Sequence, residues 1–144
     1  MIRVDDNYIY SELTDKIIGC AYDVYNQLGF GFMEKVYENA MMIKLPQKGL
    51  EVVQQVPINV YFEDKLVGEY FADILVNNKV IFEFKAVSAL SKAHEVQLVN
   101  YLKATGLEVG LLINFGAEGK LEWKRLVKSR QESANNANLL GKRD

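Results

Sequence analysis

Apolar residues recur at helical spacing near the start of the chain and at strand spacing through its middle. Over residues 12–28, Leu13, Ile17, Ala21, Val24 and Leu28 form one stripe, widened by Ile18 and Tyr25, which predicts an amphipathic helix packed on a core. Gly29 stands where a helix C-cap is expected, and Gly29-Phe30-Gly31-Phe32 reads as a tight turn. A second helix is predicted over about residues 32–44, with Pro46 unable to continue it comfortably and Gly49 turning the chain away. Residues 50–62 are β-prone, and Pro57 assigns that strand to an edge or a bulge. Glu63-Asp64-Lys65 reads as a hairpin turn into a strand over 66–76, and Asn77-Asn78 leads to a third strand over 79–87. Ser88 or Ser91 is placed to cap a helix of about 91–105, stopped by Gly106. Val109 to Phe115 is a continuous apolar run, expected of a strand covered on both faces, and residues 121–127 alternate as an edge-like strand. The order α-α-β-β-β-α-β-β predicts an α/β (α+β) fold, a mixed β-sheet flanked by helices.

Composition sharpens this picture in three places. A chain of 144 residues with 49% hydrophobic and 25% charged residues fits one globular domain. That domain is expected over residues 1–128; residues 129–144 lose periodicity and read as a flexible C-terminal tail. The formal net charge of −2 excludes a globally basic, DNA-coating protein, so any nucleic-acid contact must come from a local patch. Cys20 is the single cysteine and lies in the apolar helical stripe, which excludes a disulfide framework and predicts a buried, inert thiol. The first ten residues lack the order of a secretory signal, and no apolar run approaches the ~20 residues that span a bilayer. The expected location is cytoplasmic, with no membrane partner.

The chemistry concentrates between Asp73 and Lys85. Asp73 lies within one Val/Ile/Phe-rich strand, and Glu83 and Lys85 lie within the next, where unpaired charge is costly to bury. Two carboxylates are the usual protein contribution to a hard cation such as Mg²⁺, with Mn²⁺ able to substitute, and the Phe84 carbonyl is a further available ligand. Lys85 shares a strand face with Glu83, so its ammonium can orient an attacking water and offset charge at a phosphoryl centre. The competing reading is an ion pair on an exposed antiparallel face. Register separates the possibilities. A two-residue loop at Asn77-Asn78 sets Asp73 opposite Phe82 and divides the acids between faces. A three-residue loop from Asn77 to Lys79, or a bulge near Asp73, brings Asp73 to the Glu83 face.

The predicted helices offer further groups. Glu34 and Tyr37 share a face of the second helix, although an acid in a first helical turn is also what the macrodipole favours. His94, Gln97 and Tyr101 lie at i, i+3 and i+7 on the third, where Gln97 and Tyr101 can contact a phosphate or support Lys85. A solvated helix face is the alternative there, and His94 is a peripheral candidate.

Assembled, these residues resemble the PD-(D/E)XK nuclease superfamily, and more narrowly the bacterial GxxExxY proteins. The naming motif stands as Gly31-Phe32-Met33-Glu34-Lys35-Val36-Tyr37, the nuclease core as Asp73 and Glu83-Phe84-Lys85, and a QxxxY signature as Gln97 to Tyr101. The strand from Gly110 to Gly116 is also similar to the family's, and the resemblance covers residues 12–128. It implies a restriction-endonuclease-like fold and a Mg²⁺ site at Asp73 and Glu83, with Lys85 as catalytic lysine. Glu34 would be an additional acid reaching the metal directly or through water, and Gln97, Tyr101, Tyr37 and His94 would be supporting residues. The implied function is hydrolysis of phosphodiester bonds in DNA, with a homodimer as one assembly to test for; the alternative is an inactive nuclease-fold module that binds nucleic acid or a protein. The chain departs from the pattern at Ala72, where a proline often precedes the first acid, and at Phe71, where a basic or polar residue is common. Val24-Tyr25 and Leu28-Gly29-Phe30-Gly31 also replace a Val-His pair and a Leu-Gly-Pro-Gly turn. These changes touch substrate contacts rather than the metal set.

Overall fold

The computed structural model describes residues 9–128. Helix α1 spans Ser11–Leu28 and α2 spans Glu34–Gln47; strands β1 (Val52–Phe62), β2 (Lys65–Val76) and β3 (Val80–Lys85) follow. Helix α3 (Lys92–Thr105) leads to β4 (Val109–Asn114) and β5 (Glu122–Val127). This is the expected order of elements. The predicted tail at 129–144 lies outside the described residues. Among the described residues no helix is long and apolar enough to cross a membrane.

The five strands form one sheet in the order β1-β2-β3-β4-β5, antiparallel except for the β3/β4 pair that α3 connects. The sheet has a core on each face. Ile17, Ala21 and Val24 of α1 and Tyr37, Met41 and Leu45 of α2 pack on Ile74, Val76, Phe82, Phe84, Leu111 and Ile113. Leu98, Tyr101 and Leu102 of α3 pack on the other face against Ile58, Ala72, Ile81 and Leu112. Strands β3 and β4 are therefore sandwiched, which is why β4 reads as an uninterrupted apolar run and β3 as an apolar run broken only by Glu83 and Lys85. Cys20 is fully buried among these side chains, and burial pushes its thiol pKa up.

Two local details differ from expectation. Helix α2 runs through Pro46 to Gln47, because a proline in the last turn removes a single helical hydrogen bond. The chain closes there through Lys48 N to Leu45 O (3.0 Å) and Gly49 N to Pro46 O (2.9 Å). The β1–β2 turn is shorter than read from the sequence: Glu63 and Asp64, at φ 48° and 66°, form it alone, and Lys65 already pairs with Phe62.

Within the β1–β2 hairpin, residues of the same parity change sides. Ile74 and Val76 belong to the core under α1 and α2, whereas Ala72 belongs to the core under α3. On β1, Val52 packs on the first core, and Val56 and Ile58 join the second. The crossover falls at Gln55, whose φ is 56°, and at Asp73, the one facing pair that the ladder skips between Gln54↔Ile74 and Val56↔Ala72. The distal hairpin is thus turned toward α3, and Asp73 sits at the hinge of that turn.

The end of β3 is fixed from β4. Asn114 is fully buried; its Oδ1 accepts from Val87 N (2.9 Å), and its Nδ2 donates to Val87 O and Glu122 Oε1 (2.8 Å each). That amide holds the Glu122 carboxyl below its ordinary pKa. Gly116 makes the close approach possible, since a Cβ there would lie 2.6 Å from the Val87 carbonyl oxygen. Gly116→Ala is expected to destabilise the fold by roughly 1–3 kcal/mol, the scale of overpacking against backbone. Urea unfolding checks this; an unchanged midpoint would contradict it.

Candidate active site

The turn at the start of β3 sets the site. Asn77 and Asn78 adopt φ 51° and 57°, a conformation that asparagine tolerates better than most residues. Asn77 is tied to Glu51 by Asn77 N to Glu51 O and Glu51 N to Asn77 Oδ1, each 2.8 Å. Lys79 N closes the turn on Val76 O (2.9 Å), yet the strand partner of Val76 is Val80. The loop is therefore three residues long, with Leu75 opposite Ile81 and Ile74 opposite Phe82. The next facing pair is Asp73 and Glu83.

There the ladder stops and the two acids replace it. The Asp73 N–H donates to Glu83 Oε2, and the Phe84 N–H donates to Asp73 Oδ2, both at 2.8 Å. Each carboxylate thus bonds main chain on the opposite strand, bridging the fork where β2 leaves β3. Glu83 is 4% exposed and its pKa is pushed up to about 8, first by burial and then by the charge of Asp73. Asp73 is half-buried and also raised, mainly by burial, against the lowering effect of the Phe84 N–H; Glu38 and Glu34 raise it further. Lys85 lowers both acids.

Lys85 continues the α3 face of the strand past Glu83. Its Nζ donates to Gln97 Oε1 (3.1 Å), and Gln97 Nε2 donates to the Tyr101 hydroxyl (3.2 Å). Gln97 and Tyr101 are adjacent on α3, so the helix delivers a short relay that orients the lysine. Burial raises the Tyr101 pKa, and the charge of Glu83 adds to that effect.

The remaining candidates are placed differently. Glu34 is the first residue of α2, exposed, and close enough that its charge raises both Asp73 and Glu83. Tyr37 is fully buried and stacked on Phe115 with ring centroids 4.5 Å apart. Its hydroxyl donates to Gly29 O (2.7 Å) and accepts from Phe32 N (3.2 Å), so it clamps the turn that launches Glu34. His94 Nδ1 accepts from Ser91 N (3.0 Å), which places it at the cap of α3.

Two participants escaped the sequence reading. Glu38, one turn beyond Glu34, is 4% exposed, and its Oε2 accepts from Lys35 Nζ (3.1 Å), Gln54 Nε2 (2.5 Å) and Gln55 Nε2 (2.9 Å). Gln55 also approaches Asp73 Oδ1 at 3.5 Å, linking α2 to the first acid. The i+4 spacing from Glu34 was a signal for Glu38. Counting back from the Glu63-Asp64 turn sets Gln54 opposite Asp73; the bulge between Val60 and Tyr61 shifts that position to Gln55.

Among the described residues, no three His, Cys, Asp or Glu side chains are gathered as a ready metal cluster. The donor set nevertheless suits a hard divalent cation. Asp73 and Glu83 are neighbouring oxygen donors whose burial, with the charge of Asp73 on Glu83 and of Glu38 and Glu34 on Asp73, favours protonation, and a cation between them would relieve both.

The raised acids give a pH dependence with a definite sign. A carboxyl whose folded pKa exceeds its unfolded value stabilises the fold below the unfolded pKa and loses that contribution as pH rises through the folded one. For Glu83 the window runs from its ordinary value of 4.5 to about 8. Metal-free protein is expected to melt at progressively lower temperature from about pH 5 to pH 8. Glu83→Gln flattens that slope; an equal slope in the variant would contradict the assignment.

Comparison with known proteins adds a family and a fold. A family model described as the PD-(D/E)XK nuclease superfamily matches residues 11–126. A solved structure titled "Crystal structure of SSO0001" is similar in fold, with a TM-score of 0.53 and 17% sequence identity over 94% of this chain and 68% of that one. The fold is thus restriction-endonuclease-like, as the resemblance implies. No curated protein sequence matches the chain.

Proposed function

The chain belongs to the PD-(D/E)XK nuclease superfamily, and on that premise we propose that it is a divalent-metal-dependent nuclease hydrolysing phosphodiester bonds of DNA. The observation that carries the reading is the fork between β2 and β3, where Asp73 and Glu83 are locked by reciprocal main-chain hydrogen bonds with Lys85 on the same face. The narrower likeness to GxxExxY proteins, through Gly31, Glu34 and Tyr37, forms part of the same proposal.

Asp73, Glu83 and the Phe84 carbonyl would hold Mg²⁺, or Mn²⁺ in its place, with Glu34 joining directly or through water. Such an ion supplies Lewis acidity toward a phosphoryl oxygen and lowers the pKa of a bound water. The protein's own groups supply position and charge. Lys85, held by Gln97, orients the attacking water and opposes the negative charge that grows on the phosphoryl oxygens. As the water oxygen bonds to phosphorus, the ester bond to the leaving oxygen breaks. Tyr101 keeps the Gln97 amide aimed at Lys85. Main-chain anchoring of both acids removes the rotamer freedom that would otherwise be lost on loading the site.

Cleavage of single- and double-stranded DNA in Mg²⁺ or Mn²⁺ tests the proposal. Asp73→Asn and Lys85→Ala should each lower the rate by roughly a hundredfold or more, the scale of losing a positioned charge in the transition state. Cleavage by the parent protein no faster than by either variant, on every substrate, would refute it.

A further inference from the structure

Between α3 and the distal half of the β1–β2 hairpin lies a groove of about 580 Å³, within the size range of small-molecule sites. It exists because the strands change sides at Gln55 and Asp73, which turns the hairpin toward α3. Gln97 and Tyr101 line it, the same two residues that orient Lys85, so the groove opens directly beside the candidate active site. Tyr70 faces Tyr101 across it, with ring centroids 5.8 Å apart and an interplanar angle of 46°. Gly68 makes room for the Tyr70 ring, since a Cβ there would meet it at 3.2 Å. Tyr70 remains 49% exposed, an aromatic residue without a full covering.

The electrostatic character of the groove differs from that of the chain. Carboxylates outnumber lysines and arginines overall, 19 to 17. Among the described residues lining the groove there is no Asp or Glu, and the charged side chain present is Lys103, beside Asn100 on the exposed edge of α3. An aromatic wall, a cationic edge and the absence of carboxylates complement an anionic strand carrying flat bases.

We propose that this groove is a nucleobase subsite: it stacks an unpaired base of single-stranded DNA on Tyr70 while the neighbouring phosphate lies at Asp73, Glu83 and Lys85. A base in a duplex is stacked on both faces and cannot enter, so the subsite selects single strands or frayed ends. The inference rests on the nuclease reading for the identity of the occupant.

Fluorescence anisotropy of a twelve-residue oligothymidylate with the full chain, in EDTA and again in Ca²⁺, tests it without turnover. Tyr70→Ala is expected to bind about tenfold more weakly, the scale of one lost base stack. Tyr70→Phe keeps the ring and should bind as the parent does. Ala93→Glu places a carboxylate in the groove at a first-turn helix position where an acid favours folding, and should also weaken binding. Duplex binding should be unaffected by all three. Equal binding of oligothymidylate by the parent, Tyr70→Ala and Ala93→Glu, or no binding by the parent, overturns the proposal. A protein that cleaves DNA but binds independently of Tyr70 refutes the subsite alone. Tyr70-dependent binding by a protein that cleaves nothing supports the subsite and refutes the nuclease reading.

Discussion

The hydrogen bonds from Asp73 N–H to Glu83 and from Phe84 N–H to Asp73 hold the structure together at the place where its sheet would otherwise fall apart. Strands β2 and β3 pair over three residue pairs only, and beyond Ile74 and Phe82 the hairpin turns away toward α3. Main-chain N–H groups exposed at such a fork need partners, and an unsatisfied buried donor costs about 1–3 kcal/mol. Two carboxylates meet that need and are immobilised by doing so. The same contacts hold two acids in a poorly solvated place, and burial is the main reason that both have raised pKa values, with the charge of Asp73 adding to the effect on Glu83. Structural satisfaction and chemical frustration are here one arrangement.

Each surrounding element answers to that fork. Asn77 and Asn78 take left-handed conformations and add Lys79 to the loop, setting the register that brings Asp73 to Glu83. Asn114 and Gly116 fix the chain just after Lys85. From one face of the sheet, α2 contributes Glu34 and, through Gln55, the buried Glu38; from the other, α3 contributes Gln97 and Tyr101. The distal hairpin turns over at the fork as well, so the groove beside α3 is a by-product of the distortion that brings the acids onto main-chain donors.

Much of this was legible in the sequence because the signals were local. Helical and alternating periods placed all eight elements, and the burden of charge in apolar strands singled out Asp73, Glu83 and Lys85. Register could be narrowed to stated alternatives, and the three-residue loop is the one observed. Glu38 was signalled only by its i+4 spacing from Glu34, and its link to Asp73 through Gln55 was not legible, because that link depends on a bulge and a positive-φ residue in mid-strand that no glycine or asparagine announces. Spacing likewise could not separate two kinds of tyrosine. Tyr37 is buried against Phe115 and clamps a turn, whereas Tyr101 stands beside a groove and reaches the lysine relay. His94 shares the helical stripe of Gln97 and Tyr101, but its ring is turned back to the helix cap.

The central claim is that the locked acids form a cation site. Anomalous diffraction from crystals soaked in Mn²⁺ tests it most directly. The account predicts one strong peak within roughly 2.0–2.5 Å of an Asp73 carboxylate oxygen, a Glu83 carboxylate oxygen and the Phe84 carbonyl, the distances usual for hard cations on oxygen. Saturating Mn²⁺ that leaves no peak at the fork, or a peak elsewhere on the surface with Asp73 and Glu83 still bonded only to main chain, would contradict it.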